Sequence, residues 1–400
     1  MDRSIVVDVR ENTWPGPGHL PTFPSTFHSG VETHQINFPS TLLLIGYLTT
    51  PTSSTGVSLS EFWAWVRYLA AVTDDQDLRL TQSFADLDAH QKTILSDDFG
   101  MGIPMNWLGQ RLRFSQIVDG RYFMQRIAAS LGVSQRRTAK RGPNKTPDFV
   151  ARDTSDVWHI IECKGTQSGS GYGESQLGDY GPPASGGIAQ KRSIEFPDGY
   201  AGQRLVCGLC IGLENGDPSR MTVIDPKLDE PFRLDSSQLE LADDAAARGV
   251  MSKALRLAGF EATAEATAAP LGNHPGARRS RVRRVEEERE NYVNLRNERA
   301  RAELSLDKPS GKGGFQVREL NFTLPRSIFI GEEEISRVIV RQAMNKDFLA
   351  RLSEQPTISD PIFGAYLETP VNKMSSATNG DERTATFGIG DLFWSELILD

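Results

Sequence analysis

Three charged residues near the middle of the chain have the types that phosphodiester hydrolysis needs. Asp148 follows Pro147, and Glu162 and Lys164 flank Cys163 at the end of an apolar run. Two carboxylates can hold a hard cation such as Mg²⁺ and leave positions open for water and substrate, and a nearby ammonium group stabilises negative charge on the phosphate. These residues therefore have the chemistry of a metal-dependent phosphodiesterase, provided that their side chains meet.

Two short strands would position these residues. Their predicted bounds, on either side of the turn-like segment DTSD, are residues 149–152 and 157–164. On a strand, residues i and i+2 share a face, so Glu162 and Lys164 project together while Cys163 points to the opposite face. If the two strands pair as a ribbon, Asp148 comes beside Glu162, and the backbone carbonyl of Cys163 is a further candidate ligand.

Two other interpretations of the same residues stay open. Asp148 could cap a turn, and Glu162 with Lys164 could form a solvent-facing salt bridge on an edge strand. The letters of the motif also occur a second time, at residues 197–198 and 225–227. In that second match, PDGY is typical of a turn, and a proline between the acid and the lysine would interrupt a strand ladder. The positions of the strand candidates favour the first match.

This segment resembles the PD-(D/E)XK nuclease superfamily, which has the restriction-endonuclease-like fold. The residues that carry the resemblance are Pro147, Asp148, Glu162, Cys163 and Lys164. It extends from about residue 95 to 227, roughly a third of the chain. The resemblance implies an α/β, mixed-sheet core of order αβββαβ and a site that uses Mg²⁺, for which Mn²⁺ can substitute. Asp148, Glu162 and the Cys163 carbonyl would then bind the metal, and Lys164 would assist catalysis.

The same resemblance implies two outlying site residues. Members of the superfamily often place a polar residue, commonly Gln, on the helix after this strand, and the segment GGIAQKRS offers Gln190 with Lys191 beside it. Many also place an acid on the first helix of the core. Here Asp98, or its neighbour Asp97, is the candidate metal ligand, just before a helical pattern that spans residues 105–131.

A strongly basic segment lies immediately upstream of Asp148. With Lys191, its residues are the candidates for contacts with nucleic-acid phosphates: Arg136, Arg137, Lys140, Arg141 and Lys145. Such contacts give affinity without reading sequence. The alternative is a solvated surface loop, which a charge run usually is. A second basic cluster at residues 278–284 is followed at once by three glutamates, which favours ion pairs along a helix.

The chain has 400 residues, enough for two or three compact domains. The predicted regions are an N-terminal region 1–90, the nuclease-like core 91–227, a charged helical region 228–310 and a C-terminal α+β region 311–400. A net charge of -8 gives no global positive field that would draw the molecule to a polyanion. Three cysteines, no secretory signal and no apolar run of membrane-spanning length predict a cytoplasmic protein without a membrane partner.

The leading hypothesis is a metal-dependent DNA endonuclease, and analogy with the superfamily suggests a role in restriction or phage defence. The alternative is a non-catalytic nucleic-acid-binding or assembly subunit that retains the nuclease fold. In either case, the helical part of the chain after residue 235 is the candidate surface for a second copy or a partner protein. A third hypothesis is an unrelated α/β scaffold protein, which would bind no divalent ion through Asp148.

Overall fold

The computed structural model describes residues 2–52, 68–130, 146–178, 185–190, 194–226, 232–269, 283–305, 313–330, 333–354 and 383–400. Its strands are β1 Asp2–Val9, β2 Gly30–Asn37, β3 Arg79–Leu80, β4 Phe114–Asp119, β5 Phe149–Asp153, β6 Trp158–Thr166, β7 Ile194–Glu195, β8 Ala201–Cys210, β9 Gly212–Leu213, β10 Arg220–Ile224, β11 Phe232–Arg233, β12 Phe315–Ile330, β13 Glu333–Asn345, β14 Thr384–Ile389 and β15 Phe393–Leu399. Its α-helices are α1 Phe38–Thr49, α2 Gln82–Ala85, α3 Ala89–Leu112, α4 Gly120–Ser130, α5 Ser170–Leu177, α6 Gly186–Gln190, α7 Leu239–Leu257, α8 Glu261–Ala268, α9 Arg283–Leu304 and α10 Lys346–Glu354. The α/β class predicted from the sequence is confirmed.

Within the described residues, the largest sheet is mixed and has seven strands in the order β2-β1-β10-β8-β6-β5-β4. Strands β4, β5 and β6 form an antiparallel meander, and β8 then pairs parallel to β6. Because a parallel pair needs a crossover, the chain between β6 and β8 carries the helices α5 and α6. The order along the chain is therefore helix α3, three antiparallel strands, helices, and a fourth strand parallel to the third.

The N-terminal strands belong to this same sheet. β1 pairs parallel to β10 and antiparallel to β2, so it extends the sheet beyond β8 and β10. The boundary predicted near residue 90 thus falls within one hydrogen-bonded sheet. A second sheet, in the order β12-β13-β15-β14, is formed by the chain after residue 313. In the described residues, no helix is long and apolar enough to cross a bilayer.

The sequence predicts one long or two short amphipathic helices over residues 105–131; two helices cover most of this range, but the centre of the prediction is wrong because a strand separates them. Helix α3 ends where Arg113 adopts a left-handed conformation with φ 55°, and the next six residues form β4. β4 has apolar side chains on both faces, with Phe114, Ile117 and Val118 all buried. A strand that is buried on both faces lacks the simple alternation that distinguishes a strand from a helix. The predicted strands 149–152 and 157–164 are confirmed as β5 and β6.

Helix α3 packs on β6 through two glycines. A Cβ atom at Gly165 would lie 1.7 Å from the backbone oxygen of Ser96, and a Cβ atom at Gly100 would lie 2.6 Å from the Cα atom of Gly165. Only glycine allows the two backbones to approach this closely. The contact fixes the part of α3 near residue 97 beside the end of β6, immediately after Lys164.

Candidate active site

Asp148 lies just before β5, where the ladder between β5 and β6 ends. The two strands pair with Phe149 opposite Ile161, so the next position of the same register places Asp148 opposite Glu162. The Asp148 carboxylate accepts a hydrogen bond from the backbone N–H of Cys163, with Oδ2 and N 2.8 Å apart. This bond holds the carboxylate at the edge of β6, between the backbone positions of Glu162 and Lys164.

The Glu162 carboxylate is completely buried. Its side chain is 0% exposed, its Oε1 accepts a hydrogen bond from Nζ of Lys164, and its Oε2 has no hydrogen-bond partner among the residues that the structure describes. Burial and the negative charge of Asp148 raise the pKa of Glu162 to about 8, against the opposing effects of the Lys164 charge and hydrogen bond and of a hydrogen bond from the Asp148 backbone. A buried carboxylate oxygen without a partner is costly, so Oε2 is the atom of this site that most needs a cation or a proton.

Lys164 completes the cluster from the same face of β6. Its side chain is 22% exposed and donates to Glu162, so the ammonium group stands between the buried acid and solvent. Burial lowers its pKa, but the carboxylates of Glu162 and Asp148 outweigh that effect and raise the pKa overall. Lys164 therefore stays positively charged and can face an anionic substrate.

Both acids proposed near the first core helix lie inside α3 rather than before a helix. The hydroxyl of Tyr68 donates a hydrogen bond to Asp98, and burial raises the pKa of Asp98 to about 6. The exposed neighbour, Asp97, is electrostatically coupled to the site, because it feels the charge of Lys164 and its own charge helps to raise the pKa of Asp148. Of the two alternatives, Asp97 is therefore the one that acts on Asp148 and Lys164.

One further acid near the site is not apparent from the sequence motif. Asp119, the last residue of β4, adds to the negative charge that raises the pKa of Asp148. Its Oδ1 accepts from Nζ of Lys253 at 2.5 Å, and its Oδ2 accepts from the hydroxyl of Thr52 at 2.6 Å. Lys253 is 0% exposed and also donates to the carbonyl of Leu48 at 2.8 Å. Thr52 and Lys253 lie 67 and 134 residues from Asp119 in the sequence, so no local pattern indicates that they contact it.

The second match to the motif does not form such a cluster. Asp198 is exposed in a turn, whereas Asp225 is buried and accepts from the backbone N–H of Arg204 at 2.9 Å. The backbone N–H of Asp225 donates to the hydroxyl of Thr13. Lys227 lies outside the described residues. The two acids of this match are therefore in different environments.

Several predicted contact residues fall where the structure gives no side-chain description. Those outside the described residues are Arg136, Arg137, Lys140, Arg141, Lys145 and Lys191. Helix α6 ends at Gln190, whose side chain is likewise not described. The start of α6 does contact the site, because a Cβ atom at Gly187 would lie 3.4 Å from Cγ of Glu162.

The donors present suit a hard cation. Among the side chains that the structure describes, no group of three or more His, Cys, Asp or Glu residues is placed to hold a metal ion. Mg²⁺, however, is often bound by one or two carboxylates, while water and substrate phosphates complete its octahedron. Asp148, the unpartnered Oε2 of Glu162 and the carbonyl of Cys163 are oxygen donors of this kind.

The buried histidine of β6 has a structural role. His159 lies on the face opposite Glu162, is 3% exposed, and places Nε2 3.2 Å from Oδ2 of Asp153. Its Nδ1 accepts from the backbone N–H of Gln203 at 3.0 Å. Both ring nitrogens of His159 are thus engaged in hydrogen bonds within the fold.

The raised pKa of Glu162 makes the stability of the metal-free protein depend on pH. The folded state keeps a proton that the unfolded chain releases near pH 4.5, so the stabilisation is complete below that pH and is lost as the pH rises through about 8. Glu162→Gln removes this titration. In EDTA, we expect the melting temperature of the variant to rise relative to that of the unmodified protein between pH 5 and 8. If the melting temperatures of the two proteins change with pH in the same way across this range, the raised pKa does not belong to Glu162.

Comparison with known proteins gives no relative for this arrangement. No protein-family model, no curated protein and no solved structure matches the chain.

Proposed function

We propose that this chain is a metal-dependent nuclease that hydrolyses phosphodiester bonds in DNA, with Mg²⁺ as its cation and Mn²⁺ as a substitute. The observation that carries the proposal is the Glu162 carboxylate. One of its oxygens accepts a hydrogen bond from Lys164, and the other is buried beside Asp148 with no partner in the described part of the chain. A purely structural ion pair would leave no reason for that orphaned oxygen next to a second acid.

The path of the chain also supports the proposal. The helix α3, the meander β4-β5-β6, the crossover helices and the parallel strand β8 occur in the order αβββαβ that the resemblance implies. Asp148 directly precedes the second strand of that unit and Glu162 lies on the third, at the end where the ladder between these strands stops.

Each side chain has a distinct task in the proposed reaction. When bound, the cation would polarise the scissile phosphate and lower the pKa of the attacking water. The Cys163 amide fixes the orientation of Asp148, and burial keeps competing water away from Glu162. Lys164, charged and partly exposed, stabilises the negative charge that develops on the phosphate.

Contacts with the rest of the substrate are assigned to the basic segment that precedes Asp148. Its five cationic residues are Arg136, Arg137, Lys140, Arg141 and Lys145. In a chain with a net charge of -8, a polyanion needs such a local concentration of positive charge. We therefore expect binding to weaken steeply with salt, as it does for proteins that contact mainly phosphates.

The test is cleavage of a supercoiled plasmid by the purified full chain with Mg²⁺, with Mn²⁺ and with EDTA. Asp148→Asn keeps the size of the side chain but removes the charge that a cation needs. We expect the variant to lose cation-dependent cleavage by at least about 100-fold, the upper end of the loss caused by weakening the support of a metal ligand.

The matched control is Asp198→Asn, because Asp198 follows a proline in the second copy of the motif but lies exposed in a turn. It should cleave at the rate of the unmodified protein. Equal activity of the Asp148 and Asp198 variants would refute the site. An unmodified protein that binds the plasmid but cleaves it with neither cation would refute the proposed function.

A further inference from the structure

A group of buried arginines lies on the helices that pack near the sheet. We call Arg126 of α4, Arg248 of α7 and Arg296 of α9 the arginine cluster; all three are at most 4% exposed. The charges of Arg248 and Arg296 both act on Arg126. Three guanidinium groups within one interior region need anionic or carbonyl partners, because arginine does not lose its proton in proteins.

Arg248 has its partners within the protein. Its Nε donates to both oxygens of Asp244 at 2.9 and 3.0 Å, and its Nη1 donates to the carbonyls of Thr267 and Ala269 at 3.1 Å. The carboxylate of Asp244 and the C-terminal carbonyls of α8 are therefore already engaged by Arg248.

Arg126 has no such set of partners. Its side chain is 1% exposed, and its guanidinium carbon lies 4.8 Å from the ring centroid of Tyr122. Its Nε and Nη2 are buried and have no hydrogen-bond partner among the described side chains and backbone. The hydroxyl of Tyr122, which also forms a hydrogen bond with the Arg126 guanidinium, donates to the carbonyl of Ala268 at 2.7 Å. Two adjacent N–H groups of a charged side chain are thus buried in the interior, and the described residues provide no acceptor for them.

The electrostatic environment of Arg126 is unfavourable. Burial lowers its pKa most, Tyr122 opposes this through its charge and a hydrogen bond, and the positive charges of Arg296 and Arg248 lower the pKa further. A buried charge without a partner is among the most destabilising features that a protein can contain. A bound anion would accept the two orphaned N–H groups and would also offset the repulsion among the arginines.

We propose that the arginine cluster is a binding site for a phosphate group, with Nε and Nη2 of Arg126 as its fork. Parallel N–H donors of one guanidinium match two oxygens of a phosphate, and neighbouring arginines add to the attraction for a dianion. The class of ligand is a phosphate monoester or inorganic phosphate. It could come from a free nucleotide or from the phosphorylated end of a nucleic-acid strand.

The cluster is separate from the carboxylate site but is attached to it through α4. This helix begins at Gly120, whose backbone N–H donates to the carbonyl of Asp148 at 2.8 Å. Arg126 is six residues further on, about 9 Å along the helix axis at 1.5 Å per residue. The site needs no divalent cation, so it can be tested whether or not Asp148 and Glu162 bind one.

The experiment measures thermal stability of the full chain in EDTA with increasing inorganic phosphate, against potassium chloride at equal ionic strength. We expect phosphate to raise the melting temperature of the unmodified protein with a saturating dose dependence, because a ligand of the folded state stabilises it by mass action. Absence of any rise beyond that caused by chloride would overturn the proposal without use of a variant.

Arg126→Met keeps much of the volume and removes the charge. We expect it to weaken phosphate binding by at least about tenfold and to melt higher than the unmodified protein in phosphate-free buffer, because the uncompensated charge is gone. Arg126→Lys, which keeps the charge but loses the fork, should also bind phosphate more weakly. The control is Arg121→Met, an exposed arginine of the same helix, which should respond to phosphate like the unmodified protein.

Two further ligands separate the sources of the phosphate. An oligonucleotide with a 5′-phosphate that stabilises the protein more than its 5′-hydroxyl counterpart would identify a strand end, whereas stabilisation by adenosine monophosphate alone would identify a free nucleotide. An equal response of the Arg126 and Arg121 variants to inorganic phosphate would place the anion elsewhere and refute the assignment.

Discussion

Glu162→Gln is expected to reduce Mg²⁺-dependent plasmid cleavage by at least about 100-fold, the upper end of the loss seen when the surroundings of a metal ligand are damaged. Glutamine fills the same buried space, so the fold is preserved. It cannot supply the negative charge that a cation requires, and it also leaves Lys164 without its anionic partner. Calorimetric titration with Mg²⁺ should show a corresponding loss of binding.

The control for this substitution is Glu319→Gln on β12. Glu319 also forms an ion pair, with Oε2 2.7 Å from Nε of Arg341, but that pair is exposed on the second sheet. Exposed ion pairs contribute little to stability, so this variant should fold and cleave like the unmodified protein. Unreduced cleavage by Glu162→Gln would show that the buried carboxylate is structural. A loss shared by both variants would point to a general defect rather than to the site.

The position of Glu162 and Lys164 could be predicted from the sequence because it depends on local rules. The apolar run before Glu162 predicts a strand, and the period of two places Glu162 and Lys164 on one face. The turn-like segment before it predicts the antiparallel partner, and hence a register that brings Asp148 close. These inferences need only the residues between 146 and 166.

Contacts between distant parts of the chain could not be predicted in this way. The hydrogen bonds that join Asp119 to Thr52 and Lys253 depend on where α1 and α7 pack, which no local pattern specifies. The role of Arg126 likewise cannot be predicted from its own amphipathic helix, because it depends on Arg248 of α7 and Arg296 of α9 acting on it. β4 could not be predicted because it is buried on both faces, and its sequence therefore lacks the alternation of apolar and polar residues that indicates a strand.

The packing of α3 on β6 leads to the prediction with the largest effect on the fold. Gly100→Ala would place a Cβ atom 2.6 Å from both N and Cα of Gly165, a contact with backbone that no side-chain rotation can relieve. We expect a loss of about 1–3 kcal/mol in the free energy of unfolding, the usual cost of overpacking. Helix propensity alone would predict the opposite sign, because alanine in a helix is favoured over glycine by about 0.5–1 kcal/mol.

Gly109→Ala is the matched control, since it is the same substitution in the same helix at a position where a Cβ atom meets nothing within 4 Å. Urea denaturation should therefore show the Gly109 variant slightly stabilised and the Gly100 variant destabilised. Any shift of α3 also moves Asp97 relative to Lys164, so cleavage by the Gly100 variant should fall even at temperatures where it is folded. Equal stabilisation of both variants would mean that α3 and β6 are further apart than their backbone contact implies.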